Sequence, residues 1–162
     1  MDLNTYRFHS TWRIDAAPDD VHEALRVVDD YPAWWPQVCR ADRVDDATYE
    51  MVVRSLLPYT LRFRSTRSRE DPAGRVLEAA VSGDLDGLCR WTVTASDGGT
   101  LLVFEEEVVV RKVLLRRLAV VARPAFMANH AVMMHAGRRG LRAYLARRRS
   151  AEGRRVGALA VT

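Results

Sequence analysis

Two side chains in this sequence stand out as candidates for acid–base work, His130 and Glu106. His130 sits in a run whose apolar residues recur at helical spacing. On a 100° wheel it shares one face with Phe126, Met133, Met134, Gly137, Gly140, Leu141 and Tyr144. A histidine there is most commonly a satisfied core residue, bonded to a strand carbonyl or to its neighbour Asn129. The functional alternative is a general acid or base, or a ligand hydrogen bond, aimed from the helix into a cavity. Glu106 is the middle of three consecutive glutamates in an otherwise apolar strand. Facing outward, it would pair with an arginine across the sheet, because an unpaired buried carboxylate is costly. Facing inward, it could meet His130. Such a pair could polarise a carbonyl or remove a proton α to one, as an aldol-type cyclisation or a dehydration requires.

Other chemistries find no support in the spacing. The four histidines and two cysteines form no metal-ligand pattern, and His130 and His135 point to opposite helix faces. There is no GxSxG, no phosphate loop and no GxGxxG; Gly137-Arg138-Arg139-Gly140 lies inside a helix. No metal and no nucleotide cofactor is expected. Cys39 and Cys89 read as reduced buried thiols rather than as a disulfide framework.

The elements that must position these residues begin with a strand. Tyr6, Phe8, Ser10, Trp12 and Ile14 alternate with polar residues, including a solvent-facing His9. Pro18 opens a helix with Asp19 and Asp20 in its first turn and a stripe of Val21, Ala24, Leu25 and Val28; His22 lies off that stripe and reads as surface. Pro32 and Pro36 bracket a short aromatic turn, in which Trp34 and Trp35 are expected to point different ways. From 39 to 112, turn signals separate successive strands that read as antiparallel hairpins. Inward candidates include Tyr49, Met51, Val53 and Ser55, then Leu61, Phe63 and Ser65, then Leu77, Ala79 and Val81, then Cys89, Trp91 and Val93. The remainder is helical, with Pro124 expected to break or restart the helix.

The chain has 162 residues, 48% hydrophobic and 28% charged, which fits one globular domain and excludes global disorder. No apolar run approaches membrane-span length, and the N-terminus lacks a signal-peptide pattern, so a soluble cytoplasmic protein is the expectation. The net charge of +4 is uneven: residues 138–162 carry eight arginines against one acid. Arginine outnumbers lysine 24 to one, a bias that reads as a GC-rich bacterial genome rather than as guanidinium recognition. Residues 1–149 form the expected domain, and 150–162 a basic flexible tail. The fold class is α+β: a curved antiparallel sheet of about seven strands wrapped around a long C-terminal helix, with two short helices after strand 1. Small residues on helix and sheet (Gly137, Gly140, Ala79, Ser55, Ser65) mean either close packing or a cavity.

Three segments carry a resemblance to a known family. They are Trp12-Arg13-Ile14-Asp15-Ala16-Ala17-Pro18 leading to Val21 and Leu25, then Tyr31-Pro32-Ala33-Trp34-Trp35-Pro36, then Arg123-Pro124-Ala125-Phe126 followed by Asn129-His130, Met134, Gly137 and Gly140-Leu141. Over about residues 6–147 the chain resembles the START-related helix-grip (SRPBCC) superfamily in its polyketide cyclase/dehydrase-like branch. The resemblance implies an internal pocket for a lipid, isoprenoid or polyketide-like molecule, and no single reaction. One departure stands out: relatives usually carry an aromatic residue after the Phe104-Glu105 step, where this chain has Glu106.

The expected function is binding of a small hydrophobic or amphipathic ligand between sheet and helix. Trp12, Trp35, Met51, Phe63, Trp91, Phe104, Phe126, Met133, Met134, Gly137 and Tyr144 are the wall candidates. The first alternative is a cyclase, aromatase or dehydratase using His130 and Glu106 as acid and base. The second is contact between the Arg-rich C-terminal end and an anionic membrane or partner. Nucleic acid is not expected, because no aromatic residue follows Tyr144 to stack on bases.

Overall fold

Alternating apolar and polar residues over Thr5–Ile14 form β1, whose inward side chains enter the core. A computed structural model of the chain describes residues 4–159, with side chains at all but 118–121 and 156–159. After β1 come α1 (Pro18–Arg26), a 3₁₀ turn (Val28–Asp30) and α2 (Tyr31–Trp34). Six strands follow: β2 (Val38–Arg43), β3 (Thr48–Arg54), β4 (Thr60–Asp71), β5 (Val76–Gly83), β6 (Leu85–Ser96) and β7 (Gly99–Val110). The chain ends in α3 (Val113–Leu159).

The seven strands form one sheet in the order β1-β7-β6-β5-β4-β3-β2, with every neighbouring pair antiparallel. Hairpins between consecutive strands explain the order, and β1 closes the remaining edge of β7. Gly87 lets β6 curve: its φ is +156°, and a Cβ there would overlap the Glu107 carbonyl. The α+β class, the seven-stranded antiparallel sheet, the long C-terminal helix and the short helices after β1 are as expected from the sequence.

Four local expectations are corrected. Pro124 does not break the helix; α3 runs through it, with Arg123 anchored on the Thr5 carbonyl (3.1 Å) and Phe126 packed edge-on against Tyr59. The helix also continues to Leu159, so 150–159 are helical where a loose tail was expected; Ala and Arg are strong helix formers and no proline follows. His22 is buried, because α1 packs on the sheet with one side and on α3 with another. Trp34 and Trp35 stack instead of diverging (centroids 5.4 Å apart), since α2 ends at Trp34 and Trp35 turns to extended backbone.

The helix glycines resolve into close packing. A Cβ at Gly140 would overlap the Trp34 carbonyl oxygen, and one at Gly137 would lie 2.7 Å from the Trp35 ring. These two positions let α2 press against α3.

Candidate functional site

The register of the sheet sets the first layer of the site. Phe8, Glu106 and Cys89 lie directly opposite one another across β1, β7 and β6, so all three project to the same concave face. From α3, His130 reaches that row. Its Nε2 is 3.1 Å from Glu106 Oε2, with side chains 20% and 14% exposed. Glu106 therefore faces inward and pairs with His130 rather than with an arginine, and His130 bonds Glu106 rather than Asn129. The imidazole also stacks on Phe8, with centroids 3.6 Å apart and planes 12° apart, and lies near-parallel to the Phe104 ring at 6.4 Å. The Phe8 ring and the Glu106 carboxylate thus fix its orientation.

Beside this pair lies a cavity of about 230 Å³ between the sheet and α3. Trp35, Met51, Phe63, Trp91, Phe104, Phe126, Met133 and Met134 line it, together with His130 and Glu106. Three expected wall residues do not line it. Trp12 sits behind the wall, edge-on to Trp91 (5.1 Å) and Trp35 (6.1 Å). Gly137 is covered by Trp35, as its close packing requires. Tyr144 donates its hydroxyl to Asp30 (2.7 Å) and so ties the 3₁₀ turn to α3.

The polar wall residues divide in the same way. Ser65 lines the cavity, whereas Ser55 donates to the Asn129 side-chain oxygen at 3.0 Å. Asn129 is a clasp: it also accepts from the Leu56 N–H (3.0 Å) and donates to the Tyr59 hydroxyl (3.3 Å), fixing the β3–β4 connection to α3. At the far end of the inward face of β4, Arg67 lines the cavity with Arg26 of α1. Each guanidinium is held by a carboxylate, Arg67 by Glu70 (2.5 Å) and Arg26 by Glu23 (2.7 Å). The cavity is thus apolar in its body and carries charge at defined places. Sequence reasoning missed Phe8, Asn129, Arg26 and Arg67 as site residues. Parity could have found Arg67, which continues the inward series Leu61, Phe63, Ser65.

Burial shapes the remaining titratable groups. It pushes the Cys89 thiol up to about 12, with the nearby Glu106 carboxylate adding to the effect. Cys89 is therefore a neutral thiol near pH 7 and no nucleophile. Tyr31 is raised by burial too, and donates its hydroxyl to the Leu25 carbonyl at 2.8 Å. Among the described residues no three of His, Cys, Asp or Glu converge as a metal site would require.

A concave antiparallel sheet gripping a C-terminal helix over an apolar cavity defines the helix-grip class. Residues 5–146 match the family model described as polyketide cyclase/dehydrase and lipid transport. The chain belongs to that family. Among solved structures it is similar to the Zhui aromatase/cyclase from Streptomyces sp. R1128, at 19% identity and TM-score 0.75 over 89% of this chain and 95% of that one. It is also similar to the di-domain aromatase/cyclase StfQ of the steffimycin pathway (17%, TM-score 0.69, 91% of this chain and 53% of that one). A third is a START superfamily protein from Mycobacterium smegmatis (14%, TM-score 0.67, 87% and 97%). At these identities the likeness establishes the fold. Comparison with curated proteins gives no match.

Proposed function

We propose that this domain binds one small hydrophobic or amphipathic molecule in the cavity between sheet and α3, with Glu106–His130 orienting its polar end. The observation that carries this is a cavity of about 230 Å³ whose apolar wall holds one carboxylate–imidazole pair. An apolar cavity of about 150 Å³ accommodates benzene. The volume here suits a fused bicyclic ring or a short chain of similar bulk. Apolar burial supplies the affinity, and a carbonyl or hydroxyl on the ligand exchanges hydrogen bonds with His130.

A second reading is supported by the contact between His130 and Glu106. With a β-hydroxyketone in the cavity, His130 takes a proton α to the carbonyl and Glu106 stabilises the resulting imidazolium. The imidazolium then returns the proton to the departing hydroxyl, and water leaves. Both readings use one site and differ in whether a bond breaks.

Native mass spectrometry of the purified protein, followed by solvent extraction, tests the binding reading. A stoichiometric apolar small molecule is the supporting result. His130→Ala then separates the two readings. A binder loses affinity modestly, whereas an enzyme still binds a β-hydroxyketone but loses its turnover.

A further inference from the structure

Helix α3 is electrically and chemically divided in a way the cavity does not require. Between Val113 and Leu159 it holds eleven arginines and one acid, Glu152, a charge of +10. The whole chain carries +4, so the other residues carry −6, the difference between the two. The molecule is thus strongly polarised, with its positive side on one helix. Within that helix, residues 124–134 contain one titratable group, His130, and it faces inward. The outward positions there are Pro124, Ala125, Met127, Ala128, Ala131 and Val132, all exposed and all apolar. Val132 is 50% exposed. Leu56, held beside this stretch by its N–H bond to Asn129, is 61% exposed. Exposed arginines flank the patch on both sides: Arg116 and Arg117 before it, Arg139 and Arg142 after it, the last of these paired with the exposed carboxylate of Asp15.

An exposed apolar patch of this kind marks a contact surface. Arginines at both ends, with no acid between them, select its partner by charge. We propose that the outer face of α3 around residues 124–132, with Leu56, rests on an anionic lipid bilayer. The apolar side chains enter the headgroup boundary and the flanking guanidiniums meet lipid phosphates. No described helix is long and apolar enough to cross a membrane, so the contact is peripheral. Phe126 and Asn129, on the opposite side of the same helical turns, line the cavity. The docked face would therefore leave only α3 between the cavity and the bilayer, where apolar molecules dissolve. The proposal does not depend on what occupies the cavity, and its test uses no ligand.

The test is co-sedimentation of the full chain with vesicles of phosphatidylcholine alone or with about one third phosphatidylglycerol. The expected result is binding to the anionic vesicles only, weakened by salt. The double variant Ala128→Glu/Val132→Glu, both at exposed positions, should weaken binding roughly tenfold while leaving circular dichroism and melting unchanged. No binding to anionic vesicles overturns the proposal. So does unchanged binding of that double variant combined with loss of binding in Arg149→Gln/Arg154→Gln/Arg155→Gln, which would place the contact in bare charge at the helix end. Binding to polyglutamate but not to vesicles also overturns it, since the partner would then be an acidic macromolecule.

Discussion

His130 and Glu106 hold each other in a wall that is otherwise apolar, and each compensates the burial of the other. Replacing one partner leaves the other with an unsatisfied polar group. His130→Ala or Glu106→Ala should each cost about 1–3 kcal/mol of stability in denaturant unfolding. The double variant should cost less than the sum, which a double-mutant cycle measures directly. Additivity would mean that the 3.1 Å contact contributes nothing. Cys89 makes a separate prediction. Its folded value of about 12 lies above its ordinary 9.0, so the native state holds that proton more tightly than the unfolded chain. The stabilisation is complete below pH 9 and is lost as pH rises toward 12. Buried Tyr31, also raised, adds to the loss above its ordinary 10.0. Cys89→Ala should flatten the alkaline limb of a stability-versus-pH curve. Cys39 is exposed, where a buried thiol was expected, because it lies on the outward side of edge strand β2; at pH 8, native protein should therefore expose one reactive thiol, Cys39, and denatured protein two.

At the scale of elements, the tightest constraint is the contact of α2 with α3. Gly140→Ala drives a methyl group into the Trp34 carbonyl and should lower stability by about 1–3 kcal/mol or more, read by thermal melting. Gly137→Ala meets the Trp35 ring instead, and should move a wall residue of the cavity. If Gly140→Ala melts with wild type, the close approach of the two helices is not a constraint. The strands were legible because alternation marks a half-buried sheet face directly, and Tyr49, Met51, Phe63 and Trp91 all turn inward as their parity requires. Helix α3 was less legible at Pro124 and beyond residue 149. Proline's penalty is local, and contacts from Arg123 and Phe126 on either side offset it. His22 was misread because a wheel assigns one buried face, whereas α1 is covered from two directions. The small residues posed a choice between packing and cavity, and the fold uses both. The helix glycines serve packing against α2, while Ala79 and Ser65 on the strands border the open volume.

For the whole molecule, the separation of charge between α3 and the rest is legible from counting alone, but the outward apolar stretch needs the fold to show which face is covered. The cavity is likewise a property of the assembled domain. Composition could place apolar residues on both sides of it without showing that they fall short of filling the space. Its use is the central claim, and calorimetric titration with 1-naphthol, a bicyclic amphipathic probe of matching bulk, tests it most directly. The expected result is one saturable site per chain with a negative heat-capacity change, lost in the cavity-filling variant Ala79→Trp while circular dichroism is retained. Saturable binding that survives Ala79→Trp unchanged, or no binding at all, would contradict a ligand site between sheet and helix.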